Sequence, residues 1–107
     1  MTKLDINPVD LRTVRRILAK RIPEWDVYVF GSRVTGTARK KSDLDLAVMP
    51  KKPMVSIQRA DLKDAFTESD LPFKVDIVDW AATKEDFKKL IRREWFRIQK
   101  GVRRLIS

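Results

Sequence analysis

Hydrophobic positions along the chain follow two rhythms. Leu11, Val14, Leu18 and Ile22 recur at helical spacing with Arg12, Arg16 and Lys20 between them, which predicts an amphipathic helix. Asn7 suits its N-cap, Pro8 its first position and Asp10 the positive end of its dipole, while Pro23 stops it. Residues 27–30 are apolar on both parities, as expected of a central strand covered on two faces. Gly31 breaks that strand, and residues 32–41 read as a polar connector with a short helical turn. Residues 43–49 form a second strand. Pro50 and Pro53 then punctuate, and residues 54–68 read as a helix with a stripe of Val55, Leu62 and Phe66.

Residues 73–80 are the third strand. Thr83, with Asp86 three residues on, resembles a capping box opening a last helix, whose stripe is Phe87, Leu90, Ile91 and Ile98. Gly101 is its expected C-terminal stop, with residues 102–106 a short edge strand or tail. On a helix of that length Phe96 falls opposite the stripe, among Lys89, Arg93 and Lys100, where it would meet a partner or be covered by the tail. The order predicts a small α/β (α+β) fold, a central mixed sheet of about three strands flanked by helices, as one domain over residues 1–107.

Composition narrows the chemistry. Cys and His are both absent, which excludes disulfides, thiolate metal sites and the commonest general base. Any catalysis must run on carboxylates, hydroxyls, Lys or Arg. No membrane-spanning apolar stretch and no signal-peptide pattern is visible, so a reducing cytoplasm is the expected location and no membrane the expected partner. The net charge of +9 asks for an anionic partner, although solvated helix-face lysines account for it equally well.

The stretch FGSRVTGTARKKSDLDLAV carries the chemistry. Strand alternation puts Asp43 and Asp45 on one face, with Leu44, Leu46 and Val48 on the core face. Two carboxylates about 6–7 Å apart repel each other unless a cation lies beside them. Oxygen-only donors favour Mg2+ or Mn2+ over zinc. A bare D-x-D is more often a solvated edge pair, but parity adds a third candidate. In FKVDIVDW, Val75 and Ile77 take the core face and Asp76 the other, so Asp76 joins Asp43 and Asp45 if the two strands are neighbours. Asp79 falls on the core parity and is expected at the strand end, capping or solvated. Three such carboxylates suit two-metal phosphoryl or nucleotidyl transfer. Upstream, Gly31 lets the backbone approach a phosphate, and Ser32 offers a hydroxyl and an N–H at a helix start.

Gly31, Ser32, Arg33, Gly36, Ala38, Arg39, Ser42, Asp43, Asp45 and Leu46 together resemble the motif of the minimal nucleotidyltransferases (MNT), within the DNA-polymerase-β-like nucleotidyltransferase superfamily. Thr35 stands where many members carry Arg. The resemblance implies that Gly31 and Ser32 hold the triphosphate of ATP, and that Asp43, Asp45 and Asp76 carry Mg2+ (or Mn2+), Asp76 also activating the acceptor hydroxyl. It implies that Arg33 and Arg39 neutralise phosphate charge. MNT proteins are often paired with a HEPN-domain protein, so it also implies an antitoxin that transfers AMP to a tyrosine hydroxyl of a HEPN toxin. A binding-only subunit of the same fold, and nucleotide addition to RNA or a small molecule, are the alternatives.

Overall fold

The computed structural model describes residues 4–102. Helix α1 (Pro8–Arg21) leads into strand β1 (Asp26–Phe30), the single-turn α2 (Ser32–Thr35) and strand β2 (Leu44–Met49). Helix α3 (Ser56–Thr67), strand β3 (Val75–Asp79), a 3-10 turn (Trp80–Ala82), helix α4 (Glu85–Arg93) and strand β4 (Phe96–Gln99) complete it. The sheet order is β3-β2-β1-β4, with β1 antiparallel to both β2 and β4 and β2 parallel to β3. The sheet is therefore mixed, as expected, with one strand more than expected. Among the described residues no helix is long and apolar enough to cross a membrane.

Local chemistry sets α1 as predicted. The Asn7 side chain accepts a hydrogen bond from the Val9 amide at 2.8 Å, and Val14 and Leu18 are fully buried. These two pack with Val27, Val29, Leu44, Leu46 and Val48, and with Leu62 and Phe66 of α3, into one hydrophobic cluster. Helices α1 and α3 thus cover the face that strand alternation assigned to the core.

The opposite face is covered by aromatic side chains and α4. Tyr28 stacks on Trp95 with ring centroids 4.0 Å apart, Trp95 lies 5.3 Å from Trp80, and Phe87 meets Phe30 edge-on at 6.0 Å. Ile91 is buried, while Phe87 and Leu90 remain exposed.

Several expectations fail for tertiary reasons. The last helix ends at Arg93, because the next residues pair with β1 as β4: Val29 faces Phe96 and Tyr28 faces Arg97. Ile98 is buried from that strand, not from a helix, and Phe96 packs against the core. The cationic helix face proposed for Phe96 therefore does not exist. Gly101 does not stop a helix; its amide donates to Asp26 Oδ1 at 2.6 Å. Lys84, not Thr83, is the N-cap of α4, and the Thr83 hydroxyl donates to the Asp79 carbonyl oxygen at 2.6 Å. Val55 is the exposed N-cap of α3 rather than part of its stripe. Of the expected tail, residues 103–106 lie outside the described residues; the Val102 amide donates to the Pro23 carbonyl oxygen at 2.9 Å.

Candidate active site

The parallel register of β2 and β3 creates the site. Leu44 faces Val75, Asp45 faces Asp76 and Leu46 faces Ile77, so equal parity puts Asp45 and Asp76 side by side on the face away from the core. Asp43 precedes Asp45 by two residues at the mouth of β2 and is exposed, as is Asp76. Asp45 is partly buried. Its carboxyl is pushed up from 3.8 to about 6, first by burial, then by the negative charges of Asp76 and Asp43. Asp45 and Asp76 share a face through the register, and Asp43, just before the strand, is near enough for its charge to act on Asp45.

Gly31 belongs to the same constellation for a steric reason. Phe30 is the register partner of Asp45, so the next residue passes directly over that carboxylate. At Gly31 (φ 79°, ψ −154°) an added Cβ would collide with Asp45 Oδ2 and lie 3.2 Å from its Cγ. Only glycine fits both the left-handed backbone and this close approach. Ser32 then starts α2, whose Val34 and Thr35 amides donate to the Gly31 carbonyl oxygen, both at 3.0 Å. The first amides of the turn have no intrahelical acceptor, and the turn follows directly on the strand end that faces Asp45. Gly36 closes the turn in the left-handed conformation (φ 87°), and its amide donates to the Ser32 carbonyl oxygen.

The two arginines separate. Arg39 is exposed, and its amide donates to Ser42 Oγ at 2.8 Å, fixing the turn that enters β2. Arg33 is 5% exposed and turned inward. Its Nε and Nη2 donate to the Ser42 carbonyl oxygen at 3.1 and 2.8 Å, Nη1 donates to that of Asp5 at 3.1 Å, and Nη2 also reaches that of Lys40 at 3.3 Å. The guanidinium lies 4.3 Å from the centre of the Phe73 ring. A group so committed is not a free phosphate neutraliser. It ties α2 to the residue before Asp43 and to the residue that leads, three positions on, to Asp76.

Sequence reasoning passed over Ser42 as a positioning residue, and a Ser directly before the acidic pair is the turn signal that marked it. Asp79, expected at the strand end, is buried: its carboxylate accepts from the Met54 amide at 2.6 Å and the Ala81 amide at 3.0 Å, so it caps the 3-10 turn.

The donor set suits a hard divalent cation. Among the described residues no three acidic side chains stand close enough to enclose an ion by themselves. That is the usual arrangement for Mg2+, which takes one or two carboxylates and completes its shell with substrate phosphates and water. The raised proton affinity of Asp45 comes first from burial and then from the negative charges of Asp76 and Asp43 beside it.

Carboxylates on adjacent parallel strands, with a glycine–serine turn packed against one of them, define a nucleotidyltransferase site. The family model for "Polymerase beta, Nucleotidyltransferase" matches residues 13–98, and the chain belongs to this family. It is 48% identical over 97 residues to the "Probable protein adenylyltransferase MntA" of Haemophilus influenzae, covering 91% of this chain and 85% of that protein. A chain from a crystal structure of a toxin–antitoxin complex with AMP-PNP matches with a TM-score of 0.72 and 26% identity, over 87% of this chain and 74% of that one. A complex of a tri-AMPylated Shewanella oneidensis HEPN toxin with an MNT antitoxin gives a TM-score of 0.66 at 22% identity, over 88% and 71% of the two chains, a likeness of fold alone.

Proposed function

We propose that this chain transfers AMP from ATP to a tyrosine hydroxyl of a HEPN-domain toxin and thereby acts as its antitoxin. The observation that carries the reading is the Asp45–Asp76 pairing beneath Gly31. Two relatives support its finer parts: MntA, named as a protein adenylyltransferase, and the toxin–antitoxin complex that contains an ATP analogue.

In this reading the first turn of α2 receives the triphosphate, with the Ser32 hydroxyl and amide as donors and Gly31 leaving room for the phosphates. Arg39, exposed beside this turn, is the outer cation. Arg33 acts through other residues, holding the Ser42 carbonyl and so the entry to β2. Asp43, Asp45 and Asp76 would hold Mg2+ or Mn2+, which supplies charge neutralisation on the triphosphate. The acceptor oxygen attacks the α-phosphorus in line, and a new P–O bond forms as the bond to the β-phosphate's bridging oxygen breaks. Pyrophosphate leaves with that electron pair. Asp76, the more exposed member of the facing pair, takes the hydroxyl proton. Positioning and charge neutralisation do most of such a reaction, which suits a site without His or Cys.

A binding-only subunit gains nothing from mutually repelling carboxylates, since their burial only costs stability. The test is to produce the chain with its partner and supply ATP labelled at the α-phosphate. Label is expected in the partner, and Asp76→Asn is expected to abolish it. Neutralisation of the partner without any label would refute the transfer.

A further inference from the structure

A cleft of about 370 Å3 opens where β3 meets the start of α4. Ile77, Val78 and Ala82 give it an apolar lining, Phe87 an aromatic surface, Arg59 and Lys84 two cations, and Asp79 and Thr83 complete the wall. It is continuous with the catalytic face in two ways. Val78 lies two residues beyond Asp76 on the same side of β3. Phe87 meets Phe30, and Phe30 is the register partner of Asp45.

The lining favours one kind of occupant. Phe87 is 43% exposed, an expensive position for a large aromatic unless something covers it. Leu90, one turn on, is also exposed. Along α4 and its N-cap the charge is one-sided: Lys84, which lines the cleft, Lys88 and Arg92, which lie over the Trp80 ring, and Lys89 and Arg93 outnumber Glu85 and Asp86, and Glu85 is held by Arg92 at 2.9 Å. Arg59 is fixed at the cleft by donating to the Ile77 carbonyl oxygen at 2.8 Å. The volume is at the small end of ligand pockets, roughly 300–1,000 Å3, and fits one side chain with its flanking backbone. An aromatic ring against Phe87, with carboxylates towards Lys84, meets the aromatic and cationic parts of this lining, while the Asp79 carboxylate is buried and held by the Met54 and Ala81 amides.

We propose that this cleft is the acceptor subsite, and that it seats an aromatic side chain from an acidic segment of the partner protein beside Asp76. The inference rests on the transfer reading but adds a location and a specificity to it. Phe87 supplies the ring contact, and Lys84 and the lysines of α4 select the acidic flanks. The chain's net charge of +9 is then used at the acceptor as well as at the triphosphate.

Two measurements test it. In the first, the isotopically labelled chain is titrated with the peptide acetyl-Glu-Asp-Tyr-Asp-Glu-amide and followed by backbone amide NMR. Shifts are expected at Val78, Ala82, Lys84 and Phe87. They should be lost in Lys84→Glu and absent with the peptide acetyl-Lys-Lys-Tyr-Lys-Lys-amide. Shifts confined to other surfaces, equal shifts with the basic peptide, or displacement of the acidic peptide by single-stranded oligouridylate would overturn the proposal. In the second, AMP transfer to the partner is compared between the wild-type chain, Lys84→Glu and Phe87→Ala. KM for the acceptor should rise about tenfold or more, with KM for ATP within about twofold of wild type. Unchanged acceptor KM in both variants sinks the cleft while leaving the reaction standing. Peptide shifts at the cleft with no transfer by the wild-type chain sink the reaction and leave the cleft standing.

Discussion

Replacing Asp45 by Asn should stabilise the metal-free protein at neutral pH while destroying its activity. The carboxyl of Asp45 is raised to about 6 by burial and by Asp76 and Asp43, against 3.8 in an unfolded chain. The folded state therefore binds this proton more tightly than the unfolded state. Below about pH 4 the group is protonated in both states and costs nothing; between about pH 4 and pH 6 the unfolded chain loses its proton first and stability falls; above about pH 6 the loss is complete. The raised proton affinity corresponds to at most about 3 kcal/mol, and because solvent reaches much of the side chain, screening reduces this to about 1 kcal/mol.

Asn cannot ionise, so it removes the charge penalty, and among the described residues no hydrogen bond to the Asp45 carboxylate contributes to its shift. For a domain of this size about 1 kcal/mol moves the melting temperature by about 4–8 °C. Thermal melts of both proteins in chelator, at about pH 4 and about pH 7.5, check it. The variant should gain nothing at the acid end and several degrees at the neutral end. Mg2+ should raise the wild-type melting temperature at neutral pH more than the variant's, because the cation relieves the same repulsion. A variant that melts at or below wild type near neutrality in chelator would refute the assignment of Asp45 to a site of uncompensated charge.

Other substitutions probe the remaining parts. Arg33→Lys keeps the charge but not the fork; losing most of the bonds to Ser42, Asp5 and Lys40 should cost about 2–4 kcal/mol in urea denaturation and lower kcat more than it raises KM for ATP. Wild-type kcat in that variant would mean that charge alone matters at this position. Gly31→Ala should cost about 1–3 kcal/mol through its left-handed backbone and its collision with Asp45, and reduce transfer by at least tenfold, measured by melts and label incorporation. Asp79→Ala removes a buried acceptor from the Met54 and Ala81 amides and should destabilise by about 2–3 kcal/mol, read from the denaturation midpoint. Leu62→Ala, in the core and far from the carboxylates, should cost about 2–5 kcal/mol with little change in KM for ATP in the folded fraction.

The features legible from the residues alone are local. The cap and stripe of α1 depend on residues three or four apart, and so did their prediction. The parity of Asp43, Asp45 and Asp76 follows from strand alternation alone, and the G-S-R…S-D-x-D-L spacing sufficed to suggest the family. Register and strand direction emerge only on folding. That β2 and β3 are parallel neighbours, with Asp45 facing Asp76, joins residues 31 positions apart and leaves no trace in either segment. Phe96 and Ile98 are compatible with a helical continuation of α4 as well as with a strand, and pairing with β1 settles it, because β1 had an open edge and unpaired strand edges seek partners. Arg33 reads as a phosphate cation beside Ser32; three carbonyl oxygens and the Phe73 ring, brought together by folding, turn it inward. Side-chain alternation is a property of a few bonds, whereas the partner a side chain meets is set by segments distant in the chain, and it is the latter that makes these carboxylates a site.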